Sequence, residues 1–382
     1  MVIPPRLPPS RESFGQRGRC VRGCHSVGWC SGPLDGGRDA GRPAGQGAGR
    51  GRGVWLGSGV RVGPGGVGVE RDGMRVGVIG VGRIGGFHAR ALSGIAAVER
   101  VVVADVDRGR AEEFARAAGV AAVGLDEVFA AVDAVVIAAP TSAHVELLRA
   151  AADAKLPILC EKPIALDPIV AREAVAYVEA RGAGLQVGFQ RRFDPMYVAA
   201  RAAVEAGALG TLTRVHAVSV DRRPPPAAFV PTSGGIYRDT HIHDFDIVPW
   251  VTGVPIVEVT AIGANRGAAV FREHDDVDVS AVLFRLADGT LGTAHAGRRH
   301  EPGYDVRLEL AGTAGTHACG GVTEGDFLTR FGDAYRAELA AFVAMAAGRI
   351  AGPCSGADAL AAQAVAEACV VSRREGRTVR VG

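Results

Sequence analysis

The chain has 382 residues, enough for two domains of ordinary size, and its 48 % hydrophobic and 22 % charged residues exclude wholesale disorder. Its 43 basic and 41 acidic residues leave a formal net charge of +2, which excludes a globally basic nucleic-acid binder and gives no reason to expect an acidic partner. No apolar run reaches the roughly 18 residues that a membrane-spanning helix needs, so no membrane partner is expected. The basic residues are lopsided: Lys155 and Lys162 are the only lysines, leaving 41 of the 43 as arginine, and Asn265 is the only asparagine. In a chain so biased toward arginine, a retained lysine is informative.

Residues 1–73 hold 20 glycines and 11 arginines, no lysine, and no apolar run with helical or strand period. Such a segment cannot bury enough apolar surface to offset its ordering entropy, so a disordered leader is expected. It also lacks the apolar core of a secretory signal. Cys20, Cys24, His25 and Cys30 match no common zinc spacing, and no metal site is predicted there. Met74 opens a strand directly and reads as the natural start. Cys160, Cys319, Cys354 and Cys369 show no paired spacing and read as reduced, buried thiols of a cytoplasmic protein.

Met74–Gly80 is a short β-branched run, hence a buried strand. It enters Gly80-Val-Gly82-Arg83-Ile84-Gly85, then a helical stretch to about Ser93. A second strand, Arg100–Ala104, ends at Asp105, twenty residues after Gly85. Strand, glycines, helix, second strand and terminal acid in this register are the dinucleotide fingerprint. Gly80 permits the tight turn, Gly82 lets backbone N–H groups approach a pyrophosphate, and Gly85 lets helix pack on strand. Arg83 and Ile84 complete the cofactor loop at the positive end of the helix. Asp105 can accept from the ribose hydroxyls and repels a 2′-phosphate, favouring NAD; Arg108 keeps NADP open. The alternation continues through a strand at Asp133–Ala138, a helix to about Ala152, and a strand at Pro157–Cys160 that ends in Glu161-Lys162-Pro163. Asp105, Thr141, Glu161 and Lys162 thus sit at carboxyl ends of parallel strands, where ligands bind in such sheets. His144 falls in the first turn of the helix after Thr141 and reads as structural.

Cys160-Glu161-Lys162-Pro163 after this fingerprint resembles the Gfo/Idh/MocA family of sugar and polyol oxidoreductases. The resemblance runs from Met74 to Gly382. It includes Gln186-Val-Gly-Phe-Gln-Arg191-Arg192-Phe-Asp194, Pro224-Pro-Pro226, Ser233-Gly-Gly-Ile-Tyr-Arg-Asp239-Thr-His-Ile-His243-Asp-Phe-Asp246 and Arg298-Arg-His-Glu-Pro-Gly-Tyr304-Asp. The last segments are similar to the inositol 2-dehydrogenase branch. The implied fold is α/β plus α+β: a Rossmann dinucleotide-binding domain at 74–192, then a large, mostly antiparallel sheet domain with helices on one face at 193–382. Strand-like runs at 211–220, 256–262, 277–286, 290–296, 306–310 and 316–319 agree, as do helical runs near 195–206, 242–251, 335–347 and 357–372. In the family the open face of that sheet forms a subunit interface, which implies a homo-oligomer, dimer or tetramer.

Oxidising a secondary alcohol needs a hydride acceptor and a base near it. The resemblance places the catalytic lysine at Lys162 and the proton-relay pair at Asp239 and His243, four residues apart and therefore on one face if a helix has begun. It places polyol contacts at Arg191 and Tyr304, with Thr240 beside the relay. His241, His243, Asp244 and Asp246 can also be drawn as a metal cluster, but His241 and His243 diverge on a helix and no metal is expected. Asp244 and Asp246 read as caps that solvate the helix start, and Arg191 and Arg192 equally as a pair tying the domains together. The chain departs from another inositol dehydrogenase subgroup at Asp221-Arg222-Arg223-Pro224, at Gln190 and at His241. The implied function is NAD-dependent oxidation of a cyclic polyol, myo-inositol first, giving the 2-ketone. The alternatives are a dehydrogenase of scyllo-inositol or another sugar, a redox-neutral NAD-using sugar enzyme, and a non-catalytic NAD-binding regulator. Deleting residues 1–73 is expected to leave turnover and the melting temperature unchanged; a truncated chain that fails to fold in a thermal melt would refute the leader reading.

Overall fold

The computed structural model describes residues 73–382, so the leader reading and the Cys20, Cys24, His25 and Cys30 cluster lie outside the described residues. The chain order of the first half is β1 (Met74–Ile79), α1 (Arg83–Leu92), β2 (Val98–Ala104), α2 (Arg108–Ala118), β3 (Ala121–Ala122), α3 (Val128–Ala131), β4 (Ala134–Ile137), α4 (Thr141–Asp153), β5 (Ile158–Glu161), α5 (Pro168–Ala180) and β6 (Leu185–Gly188). The six strands form a parallel sheet in the order β3-β2-β1-β4-β5-β6. Val76, Val78, Val135 and Val136 are completely buried, as continuous β-branched runs require when helices cover both faces. The order reverses between β1 and β4, which opens a crevice at their carboxyl ends.

A short 3-10 turn at Gln190–Phe193 leads to α6 (Pro195–Glu205), β7 (Leu212–Val220), α7 (Ile236–Asp239), α8 (Ile242–Thr252), β8 (Ile256–Ala264) and α9 (Ala269–Glu273). Then come β9 (Val279–Leu286), β10 (Leu291–Gly297), β11 (Tyr304–Gly312), β12 (Thr316–Thr323), α10 (Phe327–Ala346), α11 (Gly356–Glu375) and β13 (Val379–Arg380). The second sheet has the order β12-β11-β7-β10-β9-β8-β13 and is antiparallel except where β10 runs parallel to β7. Its strands alternate cleanly. Val215, Ala217, Val282, Phe284, Ala294, Leu308 and Leu310 face inward and are buried, while their neighbours Leu283 and Leu291 face outward, 60 % and 56 % exposed. One face meets the helices and the other lies open, the pattern expected of a one-sided sheet.

Two elements differ from the sequence reading. β12 continues past Cys319 to Thr323 through Gly320 and Gly321, residues that hide a strand from any propensity count. α10 begins at Phe327, eight residues before the predicted start. The Asp326 side chain accepts from the N–H groups of Leu328 and Thr329 and caps it.

α10 also crosses back. Leu339, Phe342 and Val343 are buried against Val76, Val78, Ala89, Leu92, Val101 and Val103, so a helix from beyond residue 193 closes one face of the first sheet. Leu339→Ala is expected to destabilise the chain by about 2–5 kcal/mol in denaturant unfolding. A change well under 1 kcal/mol would show that α10 does not brace the first sheet.

Candidate active site

The cofactor loop follows from its glycines. Gly80 ends β1 at φ +91°, where a Cβ would stand 2.7 Å from the Ala138 carbonyl oxygen. At Gly85 a Cβ would stand 1.8 Å from the Gly80 carbonyl oxygen, so only glycine lets α1 start this close to β1. Gly82 is the opposite case: a Cβ there would meet nothing within 4 Å, and no side chain caps α1 at that residue. Free N–H donors, the positive end of a helix and open space are what a pyrophosphate needs, so the loop fits NAD.

Around the loop, the Asp105 carboxylate accepts from the Val81 N–H at 2.9 Å and the Asp107 N–H at 3.0 Å, which fixes the loop to the end of β2. The arginine beside it is Arg110, at 3.4 Å, whereas Arg108 pairs with Glu112 at 3.0 Å on the outside of α2. Arg83 pairs with Asp326 and lies 4.4 Å above the Phe327 ring. Ile84 packs on the core, and Thr141 is the first residue of α4. Glu161 at the end of β5 is bonded to His88 of α1 at 2.8 Å. His144 is structural, as read: its ring nitrogens stand 2.8 Å from the Pro163 carbonyl oxygen and 2.9 Å from that of Ala139. As a neutral ring it donates to one of these two carbonyl oxygens, one in the loop after β4 and the other after β5. Burial lowers its pKa.

Lys162, directly after β5, reaches across to α7. Its ammonium donates to the Asp239 carboxylate at 3.1 Å and to the Asp239 carbonyl oxygen at 2.8 Å. The other Asp239 oxygen accepts from Arg298 Nη1 at 2.7 Å. Burial alone would raise the Asp239 carboxyl, but the opposing charges of Lys162 and Arg298 win and hold it at about 2. His243 lies on α8 with its ring edge-on to Phe189, and its Nδ1 is buried without a partner. Burial, then the positive charges of Lys162 and Arg191, push its pKa well below the usual value, so the imidazole is neutral at pH 7. The Thr240 hydroxyl is likewise buried and unpartnered. Tyr304, at the start of β11, is buried beside the Arg191 guanidinium.

One expectation, that for Asp244 and Asp246, is corrected. Arg191, the partner of one of them, is only 2 % exposed, with Nη1 on Asp244 at 2.7 Å and Nη2 on the Ser219 hydroxyl at 3.0 Å, so it ties the turn after β6 to α8 and β7. Asp244 and Asp246 do not solvate a helix start: Asp244 is buried on Arg191, and Asp246 on Arg192 at 3.0–3.1 Å. His241 is completely buried, bonded to Asp244 at 3.1 Å and Ser280 at 2.7 Å, and stacked between Tyr237 and Phe245. His241 and Asp244 thus bond each other while Asp246 turns to Arg192, and among the described residues no group of three metal-ligating side chains occurs.

The sequence reading did not single out Arg298, Asp221, Arg110 or His88 as site residues. Arg298 stood in a quoted segment, but in a chain with 41 arginines an arginine carries no compositional signal.

Residues 74–189 match the oxidoreductase family with the NAD-binding Rossmann fold, and residues 197–318 match the GFO/IDH/MocA C-terminal domain. The chain belongs to the Gfo/Idh/MocA family. Among its members, the inositol 2-dehydrogenase of Rhizobium meliloti (strain 1021) is 38 % identical over 81 % of this chain and 99 % of its own length. The myo-inositol dehydrogenase Hyg17 of Streptomyces leeuwenhoekii is 39 % identical over 74 % of this chain and 91 % of its own. Among solved structures, a myo-inositol dehydrogenase from Corynebacterium glutamicum superposes with a TM-score of 0.75 at 36 % identity, covering 81 % of this chain and 99 % of its own. The scyllo-inositol dehydrogenase of Lactobacillus casei, solved with NAD(H) and scyllo-inositol, gives 0.74 at 28 % identity over 81 % and 99 %. Like the family's first domain, that of this chain is an NAD-binding Rossmann fold, and the chain is an NAD-dependent oxidoreductase.

Proposed function

We propose that this Gfo/Idh/MocA member oxidises a ring hydroxyl of a cyclic polyol, myo-inositol first, to the ketone, with NAD as oxidant. The observation that carries this reading is the Lys162–Asp239 pair at 3.1 Å, set at the carboxyl edge of the NAD-binding sheet with the neutral His243 beside it. Oxidation breaks one C–H and one O–H bond, so a hydride leaves the carbon and a proton leaves the oxygen. NAD, when bound along Gly80, Gly82, Gly85 and Asp105, supplies the hydride acceptor. Lys162 Nζ, once its ammonium has given a proton to solvent, takes the hydroxyl proton as the free amine, and Asp239, ionised throughout the working pH range, holds the ammonium that results. His243 holds the substrate hydroxyl and exchanges its proton with Lys162. The unpartnered Thr240 hydroxyl and Tyr304 suit the remaining hydroxyls, because a buried polar group rejects a ligand that leaves it unpaired.

The second reading is a dehydrogenase of scyllo-inositol, supported by the likeness to the scyllo-inositol dehydrogenase of Lactobacillus casei. The intact Lys162–Asp239 pair argues against a non-catalytic regulator, which needs the glycines but no base. Cys160, Cys319, Cys354 and Cys369, all free and buried, support a cytoplasmic setting. We further propose that the open face of the second sheet covers a second copy of the chain. Leu283 and Leu291 stand 60 % and 56 % exposed along a groove that also carries His216, Thr293 and Glu309, and Ile262 on β8 of the same sheet is 68 % exposed, apolar surface that a lone chain would leave wet.

The chemistry is read from NADH absorbance with NAD or NADP and a panel of myo-inositol, scyllo-inositol, D-chiro-inositol, glucose and xylose. NADH is expected with myo-inositol. Lys162→Met is expected to lower kcat by about 10²–10⁴ while NAD binding persists; turnover that survives the substitution would remove lysine as the base. For the interface, Leu283→Arg with Leu291→Arg is expected to yield a folded monomer in light scattering. An unchanged assembly mass would move the contact elsewhere.

A further inference from the structure

Arg298 follows β10 and is 3 % exposed, yet it contacts two carboxylates from different elements through one nitrogen. Its Nη1 lies 2.7 Å from Asp239, at the end of α7, and 3.4 Å from Asp221, which follows β7. Its Nε and Nη2 are buried without partners, so the guanidinium is committed to this pair. A guanidinium stays charged at any working pH and cannot itself carry the proton. With Lys162, the four groups make an alternating row: Lys162 cation, Asp239 anion, Arg298 cation, Asp221 anion. The other charged or titratable groups that face it are His243 from α8, Arg191 from the turn after β6, which bears on His243, and Asp276, which precedes β9 and bears on Arg298.

We propose that Arg298 is a positioning residue that, shared between Asp239 and Asp221, sets how firmly Asp239 holds the proton on Lys162. The more of the guanidinium charge Asp239 receives, the weaker its pull on the Lys162 proton; the more Asp221 draws off, the stronger that pull. The inference rests on the reading of Lys162 as the base. Opposite charges a few ångströms apart shift such equilibria by one to three pH units, so the effect is measurable.

The composition supplies an unusual probe. Lys162 and Lys155 are the only lysines, so protein made with isotope-labelled lysine reports two titrations by NMR. Lys155, bonded to the Arg181 carbonyl oxygen far from the site, is the internal control. Arg298→Gln is expected to move the Lys162 midpoint up by about 1 pH unit. Asp221→Asn, at a half-exposed side chain, is expected to move it down, and Lys155 stays put in both. The acidic limb of kcat/KM against pH should move with the Lys162 midpoint, with the dissociation constant for NAD unchanged. Midpoints that coincide with wild type, or that move in the same direction in both variants, would overturn the proposal. Should Arg298→Gln fail to fold by circular dichroism, the sign of the Asp221→Asn shift alone decides. If Lys162→Met still turns over, the assignment of the base falls instead, and the lysine titrations continue to judge Arg298 by themselves.

Discussion

Bringing one ammonium group to within 3.1 Å of one carboxylate, across the junction of two sheets, is the constraint from which the rest of this site follows. Lys162 comes from the carboxyl end of a parallel strand and Asp239 from the end of a four-residue helix more than seventy residues later. Neither charge tolerates burial alone. Asp239 has Lys162 on one oxygen and Arg298 on the other, and Arg298 in turn has Asp221. Each partner answers the desolvation of the one before it, and the row ends at Asp221, the most exposed of the four. The row is therefore electrically balanced when Lys162 is protonated, and the anion that answers its charge is already fixed in place.

Beneath this row lies a second layer of ion pairs whose work is mechanical. Arg191 and Arg192 are adjacent in the turn that leaves the first sheet, and they clamp Asp244 and Asp246, two residues apart on α8. Each pair is buried, so removing one member strands its partner at a cost of about 3–5 kcal/mol. The clamp fixes α8, and α8 carries His243. His241 adds its own bonds to Asp244 and Ser280. The acids and histidines between residues 239 and 246 thus divide in two: Asp239 and His243 lie toward Lys162, and His241, Asp244 and Asp246 are bonded to buried partners.

This division explains what the amino-acid order could and could not reveal. The glycine loop was legible because each glycine answers a local backbone demand within a few residues. Lys162 was singled out by the Cys160-Glu161-Lys162-Pro163 segment that resembles the family; scarcity alone would have marked Lys155 as well. Asp244 and Asp246 were misplaced because the difference between a solvated charge and a buried ion pair is made by a partner some fifty residues away. No period or spacing encodes that distance. The start of α10 was missed for a related reason: it is fixed by the cap at Asp326, and Phe327–Arg330 show no helical apolar stripe of their own. β12 was cut short because Gly320 and Gly321 have no strand propensity and are held by pairing with β11.

The return of α10 to the first sheet gives the architecture a consequence that its linear order conceals. Asp326, which caps α10, is also the partner of Arg83 in the cofactor loop, and Phe327 lies under the same guanidinium. Fifteen or so residues further on, the same helix buries Leu339, Phe342 and Val343 behind β1, the strand that ends in Gly80. The loop that fits a pyrophosphate is therefore gripped on both sides by one helix from the second half of the chain. That helix follows β12, and β12 is paired to β11, which begins at Tyr304 beside Arg191. The cofactor loop and the residues around Tyr304 and Arg191 are therefore joined through packed side chains and not through a free linker.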